Sequence, residues 1–318
     1  MLREEIAQLF VFGFDGTSLP SDAQALLQQN AGGVILFGRN IEATHQLVSL
    51  ITEIHSAHIT KDFPLVSVDQ EGGRVNRLNQ FINLDYLTSE YFGKLFVKNK
   101  SEFNLIFKLF IDKTSQLLSN LGININTVPV LDLRYKGSSN IIGNRSFSNN
   151  PKIVSKIGDI CIQNYKNNSI ATVIKHIPGH GLAKVDSHNF TPIVKKSLKF
   201  LEKNDFYPFK NKACHFAMTA HVIYEKLDKH NTVTHSKKVI QYIRKKIGFK
   251  NILISDDLSM KGLKEDMKTK TIKAFKAGCN IVLHCNGNQK EMMIVANNTP
   301  LISNFIIKKT SQFYKILS

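Results

Sequence analysis

Ile170-Ala171-Thr172-Val173-Ile174-Lys175-His176-Ile177-Pro178-Gly179-His180-Gly181 passes from an apolar run into a dense polar loop, and Asp186-Ser187-His188 follows shortly after. The β-branched opening reads as a buried strand. The lysine, three imidazoles and a carboxylate therefore lie where a strand ends and a glycine-punctuated loop begins. In α/β proteins that is where functional sites are built. A purely structural loop has no need of so many titratable groups.

Similar runs recur along the chain at Leu9–Phe14, Gly33–Phe37, Pro64–Val68, Ile123–Leu131, Ala171–Ile174, His215–Thr219, Asn251–Ile254 and Asn280–Leu283. Their continuous hydrophobicity fits strands covered on both faces. Between them, Asp22–Leu27, Glu42–His58, Asn104–Leu118, Val154–Tyr165, Lys237–Lys246 and Lys268–Ala277 have helical spacing. Eight β/α alternations predict an α/β fold, a single (β/α)8 TIM-type barrel over residues 1–318. A doubly wound open sheet is the structural alternative.

Composition narrows the class. A hydrophobic share of 42% over 318 residues is enough for a sizeable core. Cys161, Cys214, Cys279 and Cys285 form no CxxC pair and read as reduced thiols of a reducing compartment. Met1-Leu2-Arg3-Glu4-Glu5 has acids where a signal peptide needs cations, and no apolar run is long enough for a bilayer. A soluble, cytoplasmic monomer is expected. The net charge of +17 comes mostly from scattered lysine pairs such as Lys195-Lys196 and Lys245-Lys246. Without interleaved aromatics and arginines it reads as a solvated surface, with no nucleic acid or membrane as partner. Arginine is scarce by contrast. Arg39, Arg74, Arg77 and Arg145 all sit in glycine-containing strand-end contexts, where a planar fork of donors suits a ligand as well as a nearby carboxylate.

A barrel gathers its strand ends at one rim. Those ends are Asp69, Asp132, Lys175-His176, His221, Asp256-Asp257 and Asn286. Metal-assisted hydrolysis would use His176 and His180, but Pro178 and two glycines break the helix that would align them. No metal or other cofactor is expected. Acyl transfer through a serine lacks its GxSxG elbow. Glycoside transfer needs a carboxylate nucleophile and a proton-transfer group across the sugar, which Asp256 and the Asp186/His188 pair can supply.

Four segments carry a resemblance: Val68-Asp69-Gln70-Glu71-Gly72-Gly73-Arg74-Val75-Asn76-Arg77, Ile142-Gly143-Asn144-Arg145-Ser146-Phe147, Lys175–Gly181 with Asp186-Ser187-His188, and Ile254-Ser255-Asp256-Asp257-Leu258-Ser259-Met260. In order and spacing, from about Ala7 to Asn286, the chain resembles the bacterial β-N-acetylglucosaminidases (β-hexosaminidases) of glycoside hydrolase family 3. The resemblance implies a metal-free barrel working in the cytoplasm on a small-molecule substrate, the muropeptide disaccharides of cell-wall recycling, and releasing N-acetylglucosamine. It further implies Asp256 as nucleophile of a retaining reaction, His188 as acid/base and Asp186 as its orienting partner. Asp69, Arg77, Arg145, Lys175 and His176 would hold the sugar.

Other residues read as support: His180 bonding the loop backbone, Asp257 as a second layer, Glu71 in a turn. Gly179 and Gly181 read as hinges for the loop carrying His188. Ile177 stands where the family motif has phenylalanine. A phosphorylase using inorganic phosphate, or a muropeptide-binding protein without turnover, would share many of these residues.

Overall fold

The structure, a computed structural model, describes residues 9–58 and 64–317. The acidic start Met1–Glu5, on which the absence of a leader was read, lies outside them. Eight parallel strands close a barrel in chain order: β1 (Phe10–Phe12), β2 (Gly33–Leu36), β3 (Leu65–Val68), β4 (Ile125–Asn126), β5 (Ala171–Ile177), β6 (Phe216–Thr219), β7 (Ile252–Asp257) and β8 (Ile281–His284). β8 returns to pair with β1, Phe10 opposite Val282.

The helices are α1 (Ser21–Gln28), α2 (Thr44–Ala57), α3 (Ser89–Lys98), α4 (Lys100–Asn120), α5 (Pro151–Asn167), α6 (Leu198–Lys203), α7 (Lys237–Tyr242), α8 (Met267–Ala277), α9 (Gln289–Asn297) and α10 (Asn304–Leu317). Among the described residues no helix is long and apolar enough to cross a membrane.

Alternate strand residues fall into two cores, as a period of two requires. Phe10, Phe12, Val34, Leu36, Val66 and Val68 join the helices' apolar faces outside the barrel. Val11, Ile35, Leu65, Val173, Ile254 and Leu283 fill its interior. Both faces are covered, which explains the unbroken apolar runs. The barrel floor is closed by α10, whose fully buried Phe313 meets Phe216 edge-on at 5.2 Å between ring centres.

The inward period of β5 runs Ala171, Val173, Lys175, and that of β7 runs Ile252, Ile254, Asp256. Each strand thus ends its apolar inner face on a charged residue at the C-terminal rim.

Three expectations change. Ile123–Leu131 is not one strand: β4 covers Ile125–Asn126, and pairing resumes only as a bridge from Val130 to Lys175. Pro129 between them has no N–H for the ladder. The helix expected over Lys237–Lys246 is α-helical to Tyr242 and widens into a π turn over Ile243–Ile247. α3 was not expected; its cue was Thr88, whose side chain caps Tyr91 N.

Candidate active site

Behind the rim, carboxylates and cations are interlocked. Lys175 Nζ lies 2.7 Å from Asp69 Oδ1, 2.7 Å from Glu71 Oε1 and 3.0 Å from Thr127 Oγ1. An ammonium has three protons, so each has an acceptor here. Glu71 is also gripped by Arg145, Nε to Oε2 and Nη2 to Oε1, both 2.8 Å. Arg145 Nη1 donates to Ile141 O at 3.2 Å, which leaves N–H directions free for a ligand. Asp69 accepts from Thr127 Oγ1 and pairs with Arg77 Nη2 at 3.4 Å. Burial alone would raise both carboxyls. Lys175 and Arg77 overcome it at Asp69, holding that carboxyl far below its ordinary range. Arg145 and Lys175 do the same at Glu71, pulling it down to about 2.

Asp132, fully buried, organises the next layer. It accepts from His176 N at 3.2 Å, His176 Nδ1 at 2.7 Å and His180 N at 2.6 Å. A carboxylate accepts, so the Nδ1 position of His176 carries a proton and its Nε2 is turned away from Asp132. His180 is buried and shares a 3.0 Å bond between Nε2 and Ser187 Oγ. Burial, then the neighbouring His176 ring, push His180 down to about 4 against the pull of Asp132 and Asp256. Its imidazole therefore ties the loop through a side chain, where a bond to loop backbone was expected.

Asp256 ends the inner face of β7, and Asp257 N donates to its Oδ1 at 2.8 Å. Burial would raise this carboxyl too, but the imidazoles of His221 and His176, the Asp257 amide and His188 together keep it below its ordinary value. The group is therefore an ionised carboxylate facing the cleft. His221, at the end of β6, is buried between Thr234 Oγ1 (2.8 Å) and Asp257 O (3.0 Å). Asp257 accepts from Ser259 N and Cys285 N at 2.9 and 3.0 Å, the support expected of it.

His188 lies on the loop after β5 with its side chain 59% exposed. Asp186 Oδ1 accepts both His188 N and His188 Nδ1, each at 2.8 Å. That fixes a proton on Nδ1 and leaves Nε2 as the other ring nitrogen. Gly181 has a different reason from the hinge expected of it. A β-carbon there would stand 2.2 Å from Leu133 O, so the glycine allows a close backbone approach.

A cleft of about 340 Å³ opens at the rim, lined by Asp69, Arg77, Arg145, Lys175, His176, His188 and Asp256. Asp186, alone among the candidates, stands behind it. Arg77 Nε is buried without a partner among the described residues, a free donor at the cleft. Phe37, Met218 and Leu283 supply apolar wall. A larger cavity, about 810 Å³, lies between α3 and the segment 134–149 and holds none of the candidates.

Two of the four arginines are engaged by backbone carbonyls, Arg39 away from the cleft and Arg74 at its wall. Arg39 pairs with Asp15 at 2.7 Å and bonds Phe14 O and Cys285 O. Arg74 donates to the carbonyls of Asn140, Ile141 and Ile142. Asn286 is turned to Glu291 at 2.8 Å. Sequence reasoning gave no role to Thr127 and left Asp132 unassigned; the cue for Thr127 is its place two residues after inward-facing Ile125. No group of three metal-ligating side chains forms among the described residues.

Residues 1–311 match the glycosyl hydrolase family 3 N-terminal domain. A β-hexosaminidase of Hydrogenovibrio crunogenus is 34% identical over 276 residues, 85% of this chain and 76% of that protein. One of Thioalkalivibrio sulfidiphilus is 35% identical over 280 residues, 86% and 79% of the two chains. NagZ of Neisseria gonorrhoeae, solved with N-trifluoroacetyl-D-glucosamine, superposes with a TM-score of 0.86 at 29% identity, covering 98% of this chain and 89% of that one. A family 3 β-N-acetylglucosaminidase of Paenibacillus superposes at 0.88 with 24% identity, but this chain spans only 62% of it, and the likeness there is one of fold. With the family's domain matched along almost its whole length and relatives at 34–35% identity, the chain belongs to glycosyl hydrolase family 3 and is a glycoside hydrolase.

Proposed function

We propose that the protein is a retaining, exo-acting β-N-acetylglucosaminidase. In this reading it removes terminal N-acetylglucosamine from peptidoglycan fragments, the GlcNAc-1,6-anhydro-MurNAc-peptides, in the cytoplasm during cell-wall recycling. The observation that carries it is a single cleft with an ionised, inward-facing Asp256 on one strand end and an oriented His188 on the neighbouring loop. The β-hexosaminidase relatives and the sugar-bound NagZ structure support the choice of sugar.

In the first step an Asp256 carboxylate oxygen forms a bond to the anomeric carbon. The glycosidic C–O bond breaks, and His188 Nε2–H passes its proton to the departing oxygen. In the second, His188 takes a proton from water as the water oxygen displaces Asp256. A histidine titrates near neutral pH and serves both directions. Asp69 and Arg77 would hold sugar hydroxyls, with Arg145 and the His176 ring beside them. Lys175 would act chiefly by holding Asp69 and Glu71, since its protons are taken.

The test is release of phenol from an aryl β-N-acetylglucosaminide beside the matching β-glucoside, with and without phosphate. Turnover of the first alone, indifferent to phosphate, is expected. A sugar 1-phosphate product would replace hydrolysis by phosphorolysis, and no turnover of either would overturn the reading.

A further inference from the structure

The loop that carries His188 is docked, and the dock belongs to β7. Lys261 N donates to His188 O at 3.1 Å and Gly262 N to Ser187 O at 3.0 Å. Thr191 Oγ1 donates to Gly262 O at 2.7 Å. Lys261 and Gly262 lie in the turn that follows Asp256 on the same strand exit. A β-carbon on Gly262 would stand 2.5 Å from Ser187 O and 3.2 Å from Phe190 O. Both are backbone atoms, which cannot swing aside as a flexible side chain does. The requirement at Gly262 is room.

Much of the loop faces solvent: Lys184, Val185, His188, Asn189 and Phe190 are exposed. Ser187, between them, is buried, with its hydroxyl on His180 and its carbonyl on Gly262.

We propose that Gly262 is a positioning residue, setting the reach of His188 Nε2 relative to Asp256 by letting the two loops share backbone hydrogen bonds. The proposal rests on the roles given to Asp256 and His188 under Proposed function. Acid/base reach is then set by the strand that carries the nucleophile, so the two groups are registered through one turn.

The experiment compares kcat/KM for a 2,4-dinitrophenyl and a phenyl β-N-acetylglucosaminide in wild type, Gly262→Ala and His188→Ala. The dinitrophenolate leaves without a proton; the phenolate needs one. Gly262→Ala is expected to lower the phenyl value about 10²-fold and the dinitrophenyl value less than about 3-fold, a weaker form of the His188→Ala pattern. Azide, an anionic nucleophile that needs no base, should raise kcat of Gly262→Ala on the dinitrophenyl substrate and yield the glycosyl azide. Equal losses on both substrates, or no loss on either, would overturn the proposal. If Gly262→Ala fails to fold, Thr191→Val decides: a loss of about 3-fold or more confined to the phenyl substrate supports it, and an even loss or none rejects it. Absence of leaving-group selectivity in His188→Ala would instead sink the acid/base assignment itself, which separates the two failures.

Discussion

Arg145 holds Glu71 in a fork, Nε and Nη2 each 2.8 Å from a separate carboxylate oxygen. Both side chains are almost wholly buried, and Lys175 sits 2.7 Å from the same carboxylate. The fork fixes the guanidinium plane, so the N–H groups left over point in set directions.

Glu71→Gln keeps the shape but leaves two buried cations short of charge. Breaking such a cluster costs about 3 kcal/mol. A lower melting temperature is expected, with KM for an aryl N-acetylglucosaminide raised about tenfold and kcat changed far less, because Arg145 and Lys175 lose their alignment. Unchanged KM would show that the fork serves stability alone.

Asp256→Asn removes the charge that attacks carbon in the proposed reaction while retaining the volume. Hydrolysis is expected to fall about 10⁴-fold or more. Binding of N-acetylglucosamine, read by calorimetry, should remain within a few-fold of wild type. A residual rate within tenfold of wild type would reject Asp256 as nucleophile.

Asp186 and Asp132 both accept an imidazole Nδ1 proton, yet their substitutions should differ. Asp186 and His188 form a part-exposed pair, which contributes little to stability. Asp186→Asn is expected to lower kcat about 10²-fold and leave the melting temperature unchanged, since what is lost is the tautomer. Asp132 is buried and accepts from His176 N, His176 Nδ1 and His180 N. Asp132→Asn should lower the melting temperature as well as the rate, because one amide cannot accept from all three.

Acid should weaken the fold over a defined range. His180 in the fold sits at about 4, against an unfolded value near 6.5. Between those values the unfolded chain binds a proton that the native state refuses, so stability falls as pH drops from 6.5 to 4, by about 3 kcal/mol. His235, driven down to about 4 by burial and then by His221 and Lys273 against the pull of Glu265, adds the same sign. Glu71 extends the loss below the unfolded value of 4.5 toward about 2, where its native charge is finally neutralised. Urea midpoints followed from pH 7 to pH 4 should decline, and His180→Asn should flatten part of that slope. An equal slope in the variant would mean that His180 takes up its proton without unfolding.

Strand ends were legible because both faces of each strand are covered, so an unbroken apolar run stops visibly at the first charged residue, as at Lys175 and Asp256. The family motifs carried the assignment of His188 and Asp186, which no periodicity could reach, since a loop has none. What escaped was pairing across distance. Glu71 reads locally as a turn residue, yet its partners are Arg145 and Lys175, far along the chain. Arg39 and Arg74 look like Arg77 in their sequence contexts; only the fold shows carbonyls consuming the first two. β4 was overread because Pro129 interrupts an apolar run without interrupting its burial.

The closing pair of the barrel joins Phe10 to Val282, residues made about 270 positions apart. At roughly 5–20 residues per second the ribosome needs about 15–50 seconds to span that interval. Through that time β1 has β2 on one side and nothing on the other, and Phe313, which seats against Phe216, is later still. Until Val282 is made, the newborn chain therefore carries an open strand edge at β1.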